Sequence, residues 1–342
     1  MIDSAPGALP NDLNAALGVK RTMLGILDKR RLLLGGSVVM VMVMVAWTLA
    51  SASTFPVSKR GTPSERYGEP DLRLSIPYGP RPEQILDLCI PPNTGSRRPG
   101  VVFIHGGGWS QGDKKLYTTT CSLVARLGFV GATINYRLAD ADNPVTRWPA
   151  QLVDSQLAVR WLRGHASEFG VDAKHICAWG DSSGAQLAFF LGVQHAIVPS
   201  DDGLLIQDQA PDVQCVIALS GPFDLTRVSS GLQKAIAYHL FGGVTIERNI
   251  MPYRAASPIF LVNSDTPPTL IIHGRNDRIA PLPQAEALQR TLKHNRVPVD
   301  FVVYDGGHVV AGLDEESRRR ILRAQLNFLI TQRHLWTEVI KR

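Results

Sequence analysis

HICAWGDSSGAQLAFFLGV, residues 175–193, is the stretch that decides the fold. Its first five residues form a short apolar run of strand length. Its last nine are apolar and helix-forming. Between them lies Gly180-Asp181-Ser182-Ser183-Gly184, a Gly-x-Ser-x-Gly pattern. That pattern matters only when it follows a strand and opens a helix, as here. The context predicts a sharp strand-to-helix turn that holds a serine hydroxyl exposed at the edge of a sheet. Glycine is needed at 180 and 184 because a Cβ at either position would strike the neighbouring strand or helix. The helix N-terminus beneath the serine favours negative charge. Ser182 is therefore the candidate nucleophile.

Working outward, apolar and β-branched runs recur at 100–105, 129–135, 213–219, 269–273 and 299–304. Helical patterns separate most of them, at 114–127, 148–164, 183–195, 282–294 and 314–331. Short continuous apolar strands alternating with helices predict an α/β fold. Its central sheet is mostly parallel and covered by helices on both faces. Two earlier runs, 72–76 and 84–90, could add an antiparallel edge. The alternation breaks at about 221–258, where short helical pieces surround Gly242-Gly243; this insert reads as a small lid. No internal repeat or low-complexity tract is present. Asp154, on the helix at 148–164, reads as a solvated or capping residue.

A serine nucleophile needs a base, and the base needs an orienting acid. Chain order for this turn is serine, acid, histidine. After Ser182, the strand TLIIH leads into Gly274-Arg275-Asn276-Asp277, and VVYDGGHVV places His308 in a glycine-bearing loop. Asp277 is thus the expected orienter and His308 the expected base. Asp224 is the alternative acid, and Asp305 reads as a turn residue. His273 ends a strand and should bond locally; His165, His195, His294 and His334 read as surface residues. His105-Gly106-Gly107-Gly108-Trp109 follows the strand VVFIH. Three consecutive glycines leave backbone N–H groups unshielded. With the N–H of Ser183, those of Gly107 and Gly108 are the candidate oxyanion hole. His105 reads as ordering the loop, and Trp109 either lines the pocket or packs beneath it.

The chain has 342 residues, 44% of them hydrophobic and 19% charged, with a formal net charge of +6. The basic excess is concentrated at Lys20, Arg21, Lys29, Arg30 and Arg31 and at Arg318–Arg320. No Lys/Arg stripe with interleaved aromatics exists, which argues against nucleic-acid binding. Leu32 to Ala50 is a nearly continuous apolar run of 19 residues, roughly 28 Å as a helix, and it has no polar stripe. Residues 32–54 therefore read as a transmembrane signal anchor, with 1–31 cytoplasmic, 55–70 a linker and 71–342 an extracytoplasmic catalytic domain. The alternative is secretion after cleavage near Ala52. Cys89, Cys121, Cys177 and Cys215 sit in apolar runs without Cys-x-x-Cys spacing and read as four buried free thiols. No spacing suits a metal, and no cofactor is expected.

At these residues the sequence resembles the hormone-sensitive-lipase-like branch of α/β-hydrolase esterases, over roughly residues 72–330. HGGGW…GDK (105–114), NYRLA (135–139), WPAQLVDSQLAVRWL (148–162), GDSSG (180–184) and HGRND…AP (273–281) carry the likeness. Members of that branch more often have Ala where Ser183 stands and Gly where Ala185 stands. The resemblance implies the α/β-hydrolase fold, Ser182, Asp277 and His308 as a triad, and Gly107, Gly108 and Ser183 as oxyanion donors. The expected reaction is hydrolysis of small to medium carboxylic esters through an acyl-enzyme, with a small-molecule ester as partner. Two alternatives remain: an amidase or deacetylase using the same triad, and a non-catalytic, membrane-tethered binding protein.

Overall fold

The computed structural model describes residues 68–92, 96–196, 209–310 and 312–339. The anchor at 32–54, the segment before it and most of the linker lie outside the described residues. Among the described residues no helix is long and apolar enough to cross a membrane.

The strands are β1 (Asp71–Pro77), β2 (Ile85–Ile90), β3 (Arg98–Ile104), β4 (Val130–Ile134), β5 (Val171–Asp181), β6 (Cys215–Leu219), β7 (Thr269–Gly274) and β8 (Val299–Tyr304). They form one sheet in the order β1-β2-β4-β3-β5-β6-β7-β8. β2 runs antiparallel to both β1 and β4, and every other pairing is parallel. The antiparallel edge is the one suggested by the runs at 72–76 and 84–90. The helices are α1 (Thr118–Arg126), α2 (Ala150–Gly164), α3 (Ala166–Phe169), α4 (Ser183–Val193), α5 (Gly231–Leu240), α6 (Met251–Ala255), α7 (Leu282–His294) and α8 (Glu315–Val339).

Successive strand side chains point to opposite faces, and two apolar layers result. Val102, Ile104, Ala178, Val216 and Ile271 pack with α2, α4 and α7. Val101, Phe103, Trp179, Ile217 and Ile272 pack with α1 and α8. Helix α8 runs eight residues beyond the expected 331. Its last turns are held by tertiary contacts: Arg333 donates to the Leu127 carbonyl at 2.9 Å, and Trp336 stacks on His175.

The cysteines are buried, as expected, but they are not free. Cys89 on β2 is bonded to Cys121 on α1, and Cys177 on β5 to Cys215 on β6. Cys177 and Cys215 face each other in the β5–β6 register. That pairing exists only once the strand order is known, so the sequence spacing concealed it. The bridges span 32 and 38 residues of chain. Loops of that length are worth about 3–4 kcal/mol each in the chain-entropy picture.

Asp154 also departs from the expectation. It is fully buried rather than solvated, because β4 delivers Arg137 to it. Its carboxylate accepts from the Arg137 backbone N–H at 2.8 Å, from the guanidinium at 2.8–3.1 Å and from Gln84 Nε2 at 2.7 Å. Removing one member of such a pair strands a buried charge. Asp154→Ala should lower the unfolding free energy by about 3–5 kcal/mol in urea denaturation; a loss below about 1 kcal/mol would show that the pair contributes little.

Candidate active site

Strand β5 ends at Asp181, and the chain turns at Ser182 with φ 52° and ψ −122° before α4 begins. A non-glycine residue there is strained and needs its surroundings to hold it. Two features do so. The Ser182 N–H donates to the Leu219 carbonyl at the end of β6, at 2.8 Å. The helix is drawn tightly against the sheet: a Cβ on Gly180 would lie 2.2 Å from the Gly184 carbonyl oxygen, and one on Gly184 would lie 2.1 Å from that of Ile104. Both glycines are therefore steric requirements, as the motif predicted.

The structure brings Ser182, His308 and Asp277 together. His308 Nε2 lies 2.8 Å from Ser182 Oγ, and His308 Nδ1 lies 2.8 Å from Asp277 Oδ2. A carboxylate can only accept, so Nδ1 carries the proton and Nε2 is left to accept from the serine. Asp277 Oδ1 accepts the N–H groups of Ile279 and Ala280, both at 2.9 Å. Burial alone would raise the Asp277 carboxyl. The hydrogen bonds from His273 and His308, the charge His308 acquires on protonation and the Ala280 N–H outweigh it, and hold the carboxyl well below the usual range. His273 is buried beneath it, with Nε2 donating to the Ala280 carbonyl at 2.6 Å and lying 3.4 Å from Asp277 Oδ2. The expected local bonding of His273 thus includes a contact with the acid.

The competing acids are occupied elsewhere. Asp224 accepts from the Thr226 N–H and hydroxyl and from Arg227 Nε. Asp305 is exposed and pairs with Arg275 at 2.8 Å. Among the other histidines, His195, His294 and His334 are exposed. His165 is half-buried, stacked on Trp161 with Nδ1 bonded to the Trp161 carbonyl.

Opposite Ser182, the glycine loop holds three successive positive φ values: 119° at Gly107, 60° at Gly108 and 62° at Trp109. A Cβ on Gly107 would lie 2.1 Å from the Gln111 carbonyl oxygen. Among the described residues, the N–H groups of Gly107, Gly108 and Ser183 donate to no protein acceptor. Trp109 is buried beneath the loop, with its indole N–H donating to Gln186 Oε1 at 3.0 Å. It packs under the loop rather than lining the pocket. His105 orders the loop as expected: it stacks on Tyr136, and Nδ1 bonds the Gly106 carbonyl at 2.7 Å.

Two polar residues at the site escaped the sequence reading. Asp181 Oδ1 accepts the Gly106 N–H at 3.2 Å and the Tyr117 hydroxyl at 2.7 Å, linking the glycine loop to the end of β5. Burial, the dominant influence, pushes its carboxyl up against the pull of the Tyr117 hydrogen bond. Gln186 bridges Trp109 to the Ala256 carbonyl at 2.7 Å. The signal available for both was a polar side chain inside an otherwise apolar strand–turn–helix.

Helix α5, inside the insert at 221–258, reaches both sides of this arrangement. Ile236 Cγ2 lies 3.0 Å from where a Cβ on Gly108 would stand, and Gln233 Nε2 donates to the Ile279 carbonyl at 2.9 Å. Among the described residues no group of three or more His, Cys, Asp or Glu side chains is arranged to hold a metal ion.

This geometry has relatives. Esterase LipC of Mycobacterium tuberculosis is 30% identical over 244 residues, 69% of this chain and 59% of LipC. The probable carboxylic ester hydrolase LipM of the same organism is 30% identical, over 70% of this chain and 52% of LipM. The chain thus spans little more than half the length of these relatives. Among solved structures, esterase B from Lactobacillus rhamnosis superposes with a TM-score of 0.69 at 20% identity, covering 90% of this chain and 99% of that one. A carbohydrate esterase from gut microbiota, in truncated form, superposes with a TM-score of 0.67 at 23% identity, covering 77% and 96%. The structures share the fold. The relatives' names agree with the carboxylesterase likeness carried by HGGGW and GDSSG. Residues 86–292, more than half of the chain, match the BD-FAE family, and the chain belongs to it.

Proposed function

We propose that the protein is a serine hydrolase of carboxylic esters that works through an acyl-enzyme. The observation that carries this reading is the unbroken run from Asp277 through His308 to Ser182, with 2.8 Å at each step. His308 Nε2 takes the Ser182 proton as Oγ attacks the ester carbonyl. The oxyanion is held by the N–H groups of Gly107, Gly108 and Ser183. The intermediate collapses, and the alcohol leaves with the proton from His308. Water then attacks the acyl-enzyme by the same route and releases the acid. Asp277 fixes the tautomer and stabilises the imidazolium. The relatives named as ester hydrolases support esters over amides as substrates.

The insert acts as a short lid that favours small to medium acyl groups. Ile236 supports this, since its side chain crowds the outer surface of Gly108. Residues 32–54 anchor the chain in a membrane with the catalytic domain on the extracytoplasmic side. The two buried disulfides support that placement, because such bonds persist in oxidising compartments.

Ser182→Ala should lower p-nitrophenyl butyrate turnover by at least about a thousandfold and abolish labelling by a fluorophosphonate, with the circular dichroism unchanged. Retained activity would refute the assignment, and faster turnover of amide or acetyl-sugar analogues would move the reading to an amidase or deacetylase. In a p-nitrophenyl series, acetate and butyrate should outrun palmitate, and Ile236→Ala should narrow that gap; a wild-type preference for palmitate would contradict the lid reading. N-terminal sequencing of the mature protein should find the apolar segment retained, whereas a start at Ser53 would replace the anchor with secretion.

A further inference from the structure

Among the described residues the His308 ring bonds Asp277 and Ser182 alone, so its position depends on the backbone that carries it. That backbone is unusual. Val309, the next residue, has φ 49°, a region β-branched residues avoid. Both of its peptide groups are tied down. The Val309 N–H donates to Ser220 Oγ at 3.1 Å. The Val309 carbonyl accepts from the Tyr304 hydroxyl, which also lies 3.1 Å from the Gly307 carbonyl. The Ser220 and Tyr304 hydroxyls are 3.3 Å apart.

Each hydroxyl has one proton, and this fixes the directions. Tyr304 donates to the Val309 carbonyl, its nearest acceptor. Ser220 then donates to the phenolic oxygen while accepting the Val309 N–H. The ring closes: Val309 N–H to Ser220, Ser220 to Tyr304, Tyr304 to Val309 C=O. Each hydroxyl gives once and receives once, the arrangement in which hydrogen bonds reinforce one another. Burial, opposed by the Ser220 hydrogen bond, pushes the Tyr304 phenol up to about 12, so it keeps the proton the ring requires.

Ser220 is itself fully buried and held at φ 52° at the end of β6. Its N–H donates to the Ile272 carbonyl at 2.8 Å, and the carbonyl of the preceding Leu219 accepts the Ser182 N–H. Two consecutive residues therefore hold the backbones of both the nucleophile and the base. We propose that Leu219-Ser220, closed by the Tyr304 hydroxyl, is a positioning device that sets the spacing of Ser182 and His308. The inference rests on the serine-hydrolase reading above.

The test uses Tyr304→Phe and Ser220→Gly. The first keeps the aromatic ring and removes one hydroxyl. The second removes the other hydroxyl while accepting the positive φ without strain. Three readouts are needed: kcat and KM on p-nitrophenyl butyrate, thermal melting, and the low-field proton NMR signal of the His308 Nδ1–H. Loss of registration at the reacting atoms should lower kcat by about tenfold or more in each variant. KM should stay within about twofold, and the Nδ1–H signal should broaden or move, at temperatures where both variants are folded. Retention of kcat within about threefold in both variants would overturn the proposal, and so would a loss matched by the unfolded fraction with the His308 signal unchanged. If Tyr304→Phe does not fold, Ser220→Gly decides alone. Failure of the hydrolase reading would be distinct: wild-type turnover would survive Ser182→Ala, while the NMR comparison would still report on the Leu219-Ser220 positioning device.

Discussion

The Ser182 hydroxyl meets the His308 ring from a backbone held at φ 52° and ψ −122°, and the neighbourhood is built to hold that turn. Strain at a reactive residue persists only where surrounding packing over-determines it. Strand β5 is central, flanked by β3 and β6 in parallel register. The Cys177–Cys215 bond fixes its register with β6 from within the core. Trp179 packs against Phe103 on the neighbouring strand at 5.3 Å between ring centroids. Gly180 and Gly184 then allow α4 to approach closely enough for the helix to begin at residue 183. A shift of the β5–β6 register would move Ser182 away from the Leu219 carbonyl and remove the hydrogen bond that holds its N–H.

Two carboxylates beside this turn are pushed in opposite directions. Asp277 is held low despite burial, because imidazole and backbone N–H groups converge on it. Asp181 is pushed up by burial, with a phenol and a backbone amide as its hydrogen-bond partners. Such divergence is how neighbouring acids acquire different tasks. An ionised Asp277 stabilises positive charge on His308. Asp181 anchors the glycine loop to the end of β5 through the Gly106 N–H. The buried acids of the scaffold are handled differently: Asp87 meets Lys114 at 2.6 Å and Asp154 meets Arg137, so each charge is matched by a cation.

What the sequence revealed follows what strand ends reveal. Ser182, Asp277 and His308 each lie just past a continuous apolar run, and their chain order is diagnostic, so their convergence could be expected. Helix α7 was legible at 282–294 because Pro281 and Pro283 mark its start and an apolar stripe fills its length. The cysteine pairing was not legible, because Cys177 and Cys215 become neighbours only through the sheet. Asp154 was misread for a related reason: its partner Arg137 arrives from another element, and helical periodicity does not show which polar residue faces inward. Ser220 and Tyr304 are single hydroxyl-bearing residues at the ends of apolar strands. Such residues are common at strand ends, and only the distances to Val309 distinguish these two.

The glycine loop opposite Ser182 is held by the fold in a comparable way. Three consecutive glycines give residues 106–108 a very free backbone in the unfolded chain, yet backbone N–H groups are preorganised donors only where that freedom has been removed. The fold removes the freedom one contact at a time. Asp181 takes the Gly106 N–H, the Gln111 carbonyl fills the space a Cβ on Gly107 would need, and Ile236 closes over Gly108. Trp109 is held by Gln186 through its indole and by the Ala139 N–H through its carbonyl, at 2.8 Å. Gln186 stands on the helix that Ser182 opens, and its amide also bonds the Ala256 carbonyl in the segment leading to β7. The entropy of ordering the loop is thus met during folding, by contacts drawn from β5, α4, α5, the segment after β4 and the loop itself. Asp181 and Gln186 hold this loop against β5 and α4, and Ile236 ties the same loop to α5, so a displacement of α5 would release one of the contacts that order it.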